Sequence, residues 1–234
     1  MKSITEPRIR NHEEFLEEIE GRDVISDELL WKWAQGSHSV SGHMWTMYSI
    51  CKGIQSKRIL EIGFGRTSLM FARLAHELSG EFYCCDTRDF TYLFTEPELE
   101  VTRFFSDGSD PLFKSEKFNS DNFDFIFLDY FSGETIPLDF CLMQIRKALK
   151  NLNEGGFLCI HDVSDKRYPV SRVPGHLKRS SHLEVSVLPY SQGLCVVRKT
   201  KSSPGVVTAL YETFDQFFRF AMLSARKLKQ KLLR

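Results

Sequence analysis

An almost unbroken apolar run, FDFIFL at residues 123–128, is the feature that most limits how this chain can fold. A strand covered on both faces of a parallel sheet is apolar throughout, whereas a strand with one solvated face alternates apolar and polar residues. Shorter runs of the same kind are RILEI, EFYCC and FLCIH, and helical patterns such as SLMFARLAHEL separate them. This alternation predicts an α/β fold with a doubly wound, mostly parallel sheet.

The remaining elements follow from pattern and turn residues. We predict further strands at residues 100–105, 183–188 and 193–198, and a helix at 137–150 with Pro137 in its first turn. The turn-like PYSQ between the last two strands leaves no room for a crossover helix, so they should form an antiparallel hairpin at one edge of a seven-stranded sheet. Between His161 and this hairpin, two prolines and five basic residues predict an irregular basic loop.

With 234 residues and no linker, we predict one domain covering residues 1–234. Residues 1–55 would form helices that cap the sheet, and residues 56–198 its core. Residues 199–234 contain a helix with one apolar face, including Phe214, Phe217, Phe218 and Met222, and a basic polar face. Three interpretations of this helix stay open: packing on its own domain, a homodimer contact or a membrane-surface contact.

Composition excludes several classes of protein. The 31 basic residues cancel the 31 acidic ones, so we expect no nucleic-acid partner bound through overall positive charge. The six cysteines are scattered, form no C-x-x-C pair and lie mostly in apolar runs, which indicates reduced core residues. We found neither a signal-peptide pattern nor an apolar run of about 18 residues, so we predict a cytoplasmic protein without a transmembrane segment.

Polar residues follow each predicted parallel strand, where open sheets bind ligands. They are Glu61, Gly63 and Gly65 around the first strand end, Asp86, Ser106-Asp107-Gly108, Asp129 and His161-Asp162. The turn reads G-F-G-R-T-S rather than the G-x-G-x-x-G of a nicotinamide site, and Glu61 places negative charge where a pyrophosphate would be repelled. A cofactor with a cationic part fits this turn better.

Together, RILEIGFG, Asp86, the SDG at 106–108, FDFIFLD and NEGGFLCIHD resemble the class I S-adenosylmethionine-dependent methyltransferases. The resemblance covers residues 56–198, and the ordered set is more specific than any single motif. Within that superfamily, the segments after residues 128 and 154 are similar to small-molecule O-methyltransferases of the macrocin and related sugar-modifying type. The resemblance implies methyl transfer to a hydroxyl of a small-molecule acceptor, with sugars or glycosides as one class.

The resemblance also assigns cofactor-binding residues. Glu61, Gly63 and Gly65 would face the methionine half of S-adenosylmethionine, Asp86 its ribose hydroxyls and Asp107 its adenine edge, with Asp129 nearby. A carboxylate such as Asp86 can accept two charge-assisted hydrogen bonds from a cis-diol. The alternative for Asp86 is an ordinary turn residue.

The same resemblance places Asp129 and Asp162 where metal-dependent relatives bind a divalent ion such as Mg²⁺. Two departures from that pattern are His161 in place of a carboxylate and Tyr130-Phe131 after Asp129. A metal-free alternative makes His161 the general base, because imidazole titrates near neutral pH. A third interpretation makes His161 a histidine hydrogen-bonded at a strand end. The predicted catalytic residues are therefore Asp129, His161 and Asp162.

The aromatic segment at 31–48 has two interpretations. Trp31, Trp33 and Trp45 would either pack against the main domain or cover the acceptor pocket. His38 and His43 in this segment are weaker site candidates, because the sequence does not fix their distance from the strand ends, and His176 in the basic loop is weaker still. That loop is a solvated edge or a contact for an anionic acceptor. The alternative function is a non-catalytic methyltransferase-like fold that binds the cofactor or a protein partner.

Overall fold

The computed structural model describes residues 26–35, 39–106, 122–130 and 135–200. Its centre is one seven-stranded sheet with the strand order β3-β2-β1-β4-β5-β7-β6. The strands are β1 (Arg58–Ile62), β2 (Glu81–Cys85), β3 (Thr102–Phe105), β4 (Phe123–Leu128), β5 (Leu152–His161), β6 (Leu183–Leu188) and β7 (Leu194–Lys199).

Pairing of the strands confirms the predicted fold class. The first five strands pair in parallel, in the spatial order β3-β2-β1-β4-β5. Strand β7 runs antiparallel to both β5 and β6. The strand order reverses between β1 and β4, so the carboxyl ends of these two strands flank a crevice at the switch point. The antiparallel hairpin closes one edge of the sheet, as the PYSQ turn predicts.

Helices cover both faces of the sheet. They are α1 (Asp27–Ala34), α2 (Met44–Gly53), α3 (Arg66–Glu77), α4 (Glu96–Val101), α5 (Leu138–Lys150) and α6 (Val173–Leu177). Short 3-10 helices span Ser39–His43, Thr91–Leu93 and Pro169–Arg172. Ser26 begins α1 by accepting a hydrogen bond from the amide of Leu29 with its hydroxyl, at 3.2 Å.

Successive side chains of β4 enter two different cores, which explains why FDFIFL is apolar throughout. Phe125 and Phe127 join a core formed with α1, α2 and α3, whereas Ile126 and Leu128 join a core formed with α5 and α6. Adjacent residues of a strand point to opposite faces, so a strand covered twice must be apolar at nearly every position.

Several predicted boundaries were wrong. Residues 100 and 101 belong to α4, so β3 begins two residues later than predicted. β5 begins at Leu152 rather than at residue 157, because the chain around Gly155-Gly156 continues to pair with β4 across a register shift. The predicted irregular loop contains a 3-10 helix and α6. Lys199, predicted to begin the C-terminal segment, is the last residue of β7.

The predicted apolar helix at the C-terminus lies outside the described residues, as do residues 1–25. All six cysteines are free and buried, in agreement with their prediction as reduced core residues. None of the helices in the described part of the chain is long and apolar enough to cross a bilayer.

Candidate active site

The turn after β1 is held between the ends of two other strands. The amide of Gly63 donates to the carbonyl of Cys85 at 2.9 Å, and the amide of Asp129 donates to the carbonyl of Ile62 at 2.9 Å. Gly63 has a φ of +104°, and a Cβ at this position would lie 2.5 Å from the backbone oxygen of Asp129. Residue 63 must therefore be glycine for conformation and for space.

Gly65 plays a different part in the same turn. It caps the amino end of α3 with extended backbone, and its amide donates to the hydroxyl of Ser68 at 3.0 Å. A Cβ added to Gly65 would meet no atom within 4 Å. The space beside the amino end of α3 is therefore open, as a site for the charged end of a ligand requires.

These two glycines give a matched pair of substitutions. We expect Gly63→Ala to lower the free energy of unfolding by at least about 2 kcal/mol, through backbone strain and the contact with Asp129. Gly65→Ala should leave stability nearly unchanged, yet weaken binding of S-adenosylhomocysteine if the open space holds the cofactor. Chemical denaturation and calorimetry of both variants measure the two effects. Equal stability losses would contradict the distinct roles.

Asp86 extends from the end of β2 toward the glycine turn. One carboxylate oxygen, Oδ2, accepts from the amide of Phe64 at 2.7 Å, and Oδ1 accepts from the amide of Arg88 at 3.0 Å. The carboxylate is half-buried; Oδ1 also accepts from the hydroxyl of Thr87 at 3.2 Å, whereas Oδ2 keeps a second lone pair for another donor. Asp86 thus fixes the turn and still presents acceptor capacity beside it.

Glu61 is fully buried under the same turn. Its Oε1 accepts from the hydroxyl of Thr67, while Oε2 has no hydrogen-bond partner among the described residues. Burial raises the pKa of Glu61 well above its usual range, partly offset by hydrogen bonds from Ser68 and Thr67. A buried carboxyl with an unsatisfied oxygen favours an incoming group that can hydrogen-bond to it.

Three predicted catalytic side chains meet where β4 and β5 end. Leu128 and Ile160 are paired, so Asp129, directly after β4, lies beside His161 at the end of β5 and Asp162 directly after it. His161 Nδ1 lies 2.9 Å from Asp129 Oδ1 and 3.3 Å from Asp162 Oδ1. His161 and Asp162 are almost fully buried, while the side chain of Asp129 is 26% exposed. Asp129 is therefore the member of this triad that a ligand can reach.

The two carboxylates determine the protonation of His161. Burial alone would lower its pKa, but the charge of Asp129 and its hydrogen bond, with the charge of Asp162, raise the pKa to about 9. Near neutral pH the ring is thus an imidazolium that donates from Nδ1 to Asp129. This argues against His161 as the general base and favours a hydrogen-bonding role at the strand end.

His43, ranked low from the sequence, lies beside this triad. Its ring centroid is 5.5 Å from that of His161, and its Nε2 lies 3.1 Å from the carbonyl oxygen of Ser191. Burial, followed by the charge of His161, lowers the pKa of His43 to about 4, so the ring is neutral. No sequence pattern could place His43 here, because its contact with Ser191 joins residues 148 positions apart.

The aromatic segment divides between the two predicted roles. Trp33 is buried in the core and lies under the guanidinium of Arg66, 5.6 Å from its ring, which fits the packing interpretation. Trp31 and Trp45 stack with centroids 4.5 Å apart, and Trp45 is exposed. Of the segment, His43 is the residue seen in ring contact with His161. Whether the tryptophans cover an acceptor stays a prediction.

Other predicted site residues fall elsewhere. Asp107, Phe131 and His38 lie outside the described residues. His176 is in α6, which packs on β6 rather than at the end of β4. In the basic segment, Arg167 pairs with the carboxylate of Asp165, so this cation is already engaged.

The described residues fit both groups that the sequence implies. For the cofactor, the structure offers Asp86, the open space at Gly65 and the unsatisfied oxygen of Glu61. For a metal ion, Asp129, His161 and Asp162 each offer a ligand atom, and these atoms lie within 4.8 Å of one another. Carboxylate oxygens suit Mg²⁺, whereas an imidazole nitrogen also suits transition metals.

No protein-family model matches the chain, and no curated protein matches it in sequence. Solved structures do resemble it in fold. The O-methyltransferase TomG from Streptomyces achromogenes, solved with S-adenosylmethionine, is 18% identical with a TM-score of 0.56 over 81% of this chain and 96% of its own.

Two further structures give similar values. The Podospora anserina methyltransferase PaMTH1, bound to S-adenosylhomocysteine, is 14% identical with a TM-score of 0.52 over 86% of this chain and 99% of its own. A putative caffeoyl-CoA O-methyltransferase from Staphylococcus aureus is 15% identical with a TM-score of 0.52 over 81% and 99%. Strand order, site position and these likenesses agree: the chain has the fold of the class I S-adenosylmethionine-dependent methyltransferases.

Proposed function

We propose that this protein transfers a methyl group from S-adenosylmethionine to a hydroxyl of a small molecule, with sugars and glycosides as one acceptor class. One observation carries the proposal: the glycine turn, Asp86 and the Asp129 triad all lie at the carboxyl ends of adjacent parallel strands. Support for oxygen as the methylated atom comes from TomG, an O-methyltransferase of similar fold.

When bound, S-adenosylmethionine supplies an electrophilic methyl carbon on a cationic sulfur. The chain's own tasks are to hold the cofactor, orient the acceptor hydroxyl and take its proton. Asp86 and the backbone around Gly65 hold the cofactor. Asp129 is the exposed carboxylate of the triad, so it is placed to contact the acceptor hydroxyl and accept the proton. His161 holds the position of Asp129 through its Nδ1, and Asp162 lies on the His161 side of this contact.

Asp129 and Asp162 would also hold a divalent cation such as Mg²⁺, which when bound lowers the pKa of a coordinated hydroxyl. Their carboxylates and the His161 ring are close enough to share one ion. In the metal-free state, the imidazolium of His161 offsets part of their charge. The proposal therefore includes Mg²⁺ as an ion that activates the acceptor.

The test of methyl transfer has two parts. Calorimetry should show that the wild-type protein binds S-adenosylhomocysteine. Incubation with S-adenosylmethionine and separate panels of sugars, glycosides and phenols should then yield a methylated product, located by mass spectrometry. Binding without transfer to any acceptor would favour the non-catalytic alternative, and absence of binding would reject the cofactor itself.

The metal part has its own expected result. With a responsive acceptor, excess EDTA should lower the rate at least about tenfold, because an unactivated hydroxyl is a poor nucleophile at neutral pH. Added Mg²⁺ should restore the rate in the wild type but not in Asp162→Asn. A second readout is Mg²⁺ binding measured by calorimetry without acceptor. An unchanged rate in EDTA would contradict the role of the metal, and Asp129 would then accept the hydroxyl proton without a metal ion.

A further inference from the structure

One backbone carbonyl connects two histidines that are far apart in the sequence. The oxygen of Ser191 lies 3.1 Å from His43 Nε2 and 3.3 Å from His161 Nε2. A carbonyl can only accept, so both Nε2 atoms must carry hydrogen for these contacts to be hydrogen bonds. Both lone pairs of the Ser191 carbonyl are then used, one by each ring.

Ser191 belongs to the tight turn between β6 and β7, which reaches the end of β5. Leu194 pairs with both Leu188 and His161, so the turn must lie at the same sheet edge as the triad. Ser191 and Gln192 have φ values of 48° and 67°. Non-glycine residues adopt this left-handed region at a cost and need surrounding contacts to hold them there.

Contacts on two sides supply that support. On the β5 side, the amide of Ser164 donates to the carbonyl of Gln192 at 2.9 Å. On the opposite side, the ring of Tyr190 lies 4.6 Å from that of His43, and its hydroxyl is 3.0 Å from Thr46 Oγ1. The start of α2 thus braces the half of the turn that carries the Ser191 carbonyl.

We propose that His43 is a positioning residue, which holds the Ser191 carbonyl so that the His161 ring keeps Nδ1 toward Asp129. The geometric claim is independent of methyl transfer; its importance for catalysis rests on the proposed function. Without an acceptor at Nε2, the His161 ring would lose one of the two directional contacts that fix its rotation. The Asp129 carboxylate would then lose its fixed orientation.

Packing alone does not explain a histidine at position 43. The ring is fully buried, and its Nδ1 has no hydrogen-bond partner among the described residues. An unsatisfied buried acceptor costs free energy, so a phenylalanine would fill the same space without that cost. The Nε2 donor, which phenylalanine lacks, is the property that the structure uses.

The first experiment compares His43→Phe with His43→Gln in protein labelled with ¹⁵N-histidine, with the His161 signals assigned from His161→Gln. In His43→Phe, the His161 Nε2–H should exchange with solvent at least about tenfold faster, because its acceptor is no longer held. Glutamine keeps a donor and should restore slow exchange. S-adenosylhomocysteine affinity should stay unchanged in both. Substitution of His76, exposed on α3, is the matched control.

The second experiment moves the turn without touching either histidine. A Cβ on Gly42 would lie 2.3 Å from Ser191 Oγ and 3.0 Å from its Cβ. We therefore expect Gly42→Ala to accelerate exchange of the His161 Nε2–H, and the double variant Gly42→Ala/Ser191→Gly to reverse it. Ser191→Gly alone should behave as wild type, because glycine tolerates the local φ.

The results decide the proposal. Fast exchange in His43→Phe and Gly42→Ala, with reversal in His43→Gln and the double variant, supports it. Wild-type exchange of His161 in a folded His43→Phe protein overturns it. If His43→Phe does not fold, wild-type exchange in Gly42→Ala overturns it instead. Neither exchange measurement depends on methyl transfer, so a failed methyl-transfer assay would not change the conclusion about how His43 positions the His161 ring.

Discussion

Replacing Asp86 with alanine should weaken the binding of S-adenosylhomocysteine at least tenfold. Two hydrogen bonds from ribose hydroxyls to this carboxylate would be worth about 1.5–3 kcal/mol each. The loss also removes the acceptor of the Phe64 amide, which shapes the glycine turn. Calorimetric titration of the variant against the wild type measures the effect directly.

Asp89 provides the matched control for Asp86. It is an exposed carboxylate three residues later, and it accepts from the amide of Thr91 rather than from the glycine turn. Asp89→Ala should bind S-adenosylhomocysteine like the wild type. Equal affinities for Asp86→Ala and the wild type would remove Asp86 from the cofactor site.

The second large effect concerns Asp129. We expect Asp129→Asn to lower the rate of methyl transfer at least about a hundredfold, because it removes the exposed carboxylate placed to accept the acceptor proton. The amide is nearly isosteric, so the fold should be kept. Asp165→Asn, which alters a carboxylate paired with Arg167, serves as the control. Wild-type rates in Asp129→Asn would reject the assigned role.

We also expect the difference in stability between the wild type and Asp129→Asn to depend on pH. The pKa of His161 is raised from 6.5 to about 9, so its contribution is fully present below pH 6.5 and lost as pH rises through about 9. Asp129→Asn removes the leading cause of the raised pKa. The wild type should therefore exceed the variant in free energy of unfolding most at about pH 6, with the difference shrinking toward pH 10. Denaturant titrations across this range measure it.

Local pattern was enough for much of the fold. Strand β4 could be predicted from FDFIFL because it is buried on two faces. The short turn PYSQ predicted the β6–β7 hairpin. The limits of β3 and β5 were missed because α4 runs directly into β3, and because Gly155-Gly156, usually a loop signal, lies within the pairing of β5. Such boundaries depend on tertiary pairing more than on local composition.

The candidate site could be predicted only where it lies at strand ends. Asp86, Asp129, His161 and Asp162 lie at the carboxyl ends of strands that the sequence identifies, so topology brings them to one edge. His43 and Ser191 reach the same place by long-range packing of the N-terminal segment on a hairpin turn. No spacing rule covers that contact. The protonation of His161 likewise depends on two carboxylates that the fold places beside its ring, not on residue type.

The stacked indoles of Trp31 and Trp45 give this protein an optical property. The chain has three tryptophans, all between residues 31 and 45, so its entire indole emission originates in the segment that leads to His43. Trp33 lies against Arg66, the first residue of α3, next to the glycine turn. The fluorescence of unlabelled protein excited at the red edge of tryptophan absorption therefore reports the docking of this segment. The strands of the sheet contain no tryptophan and contribute no indole emission.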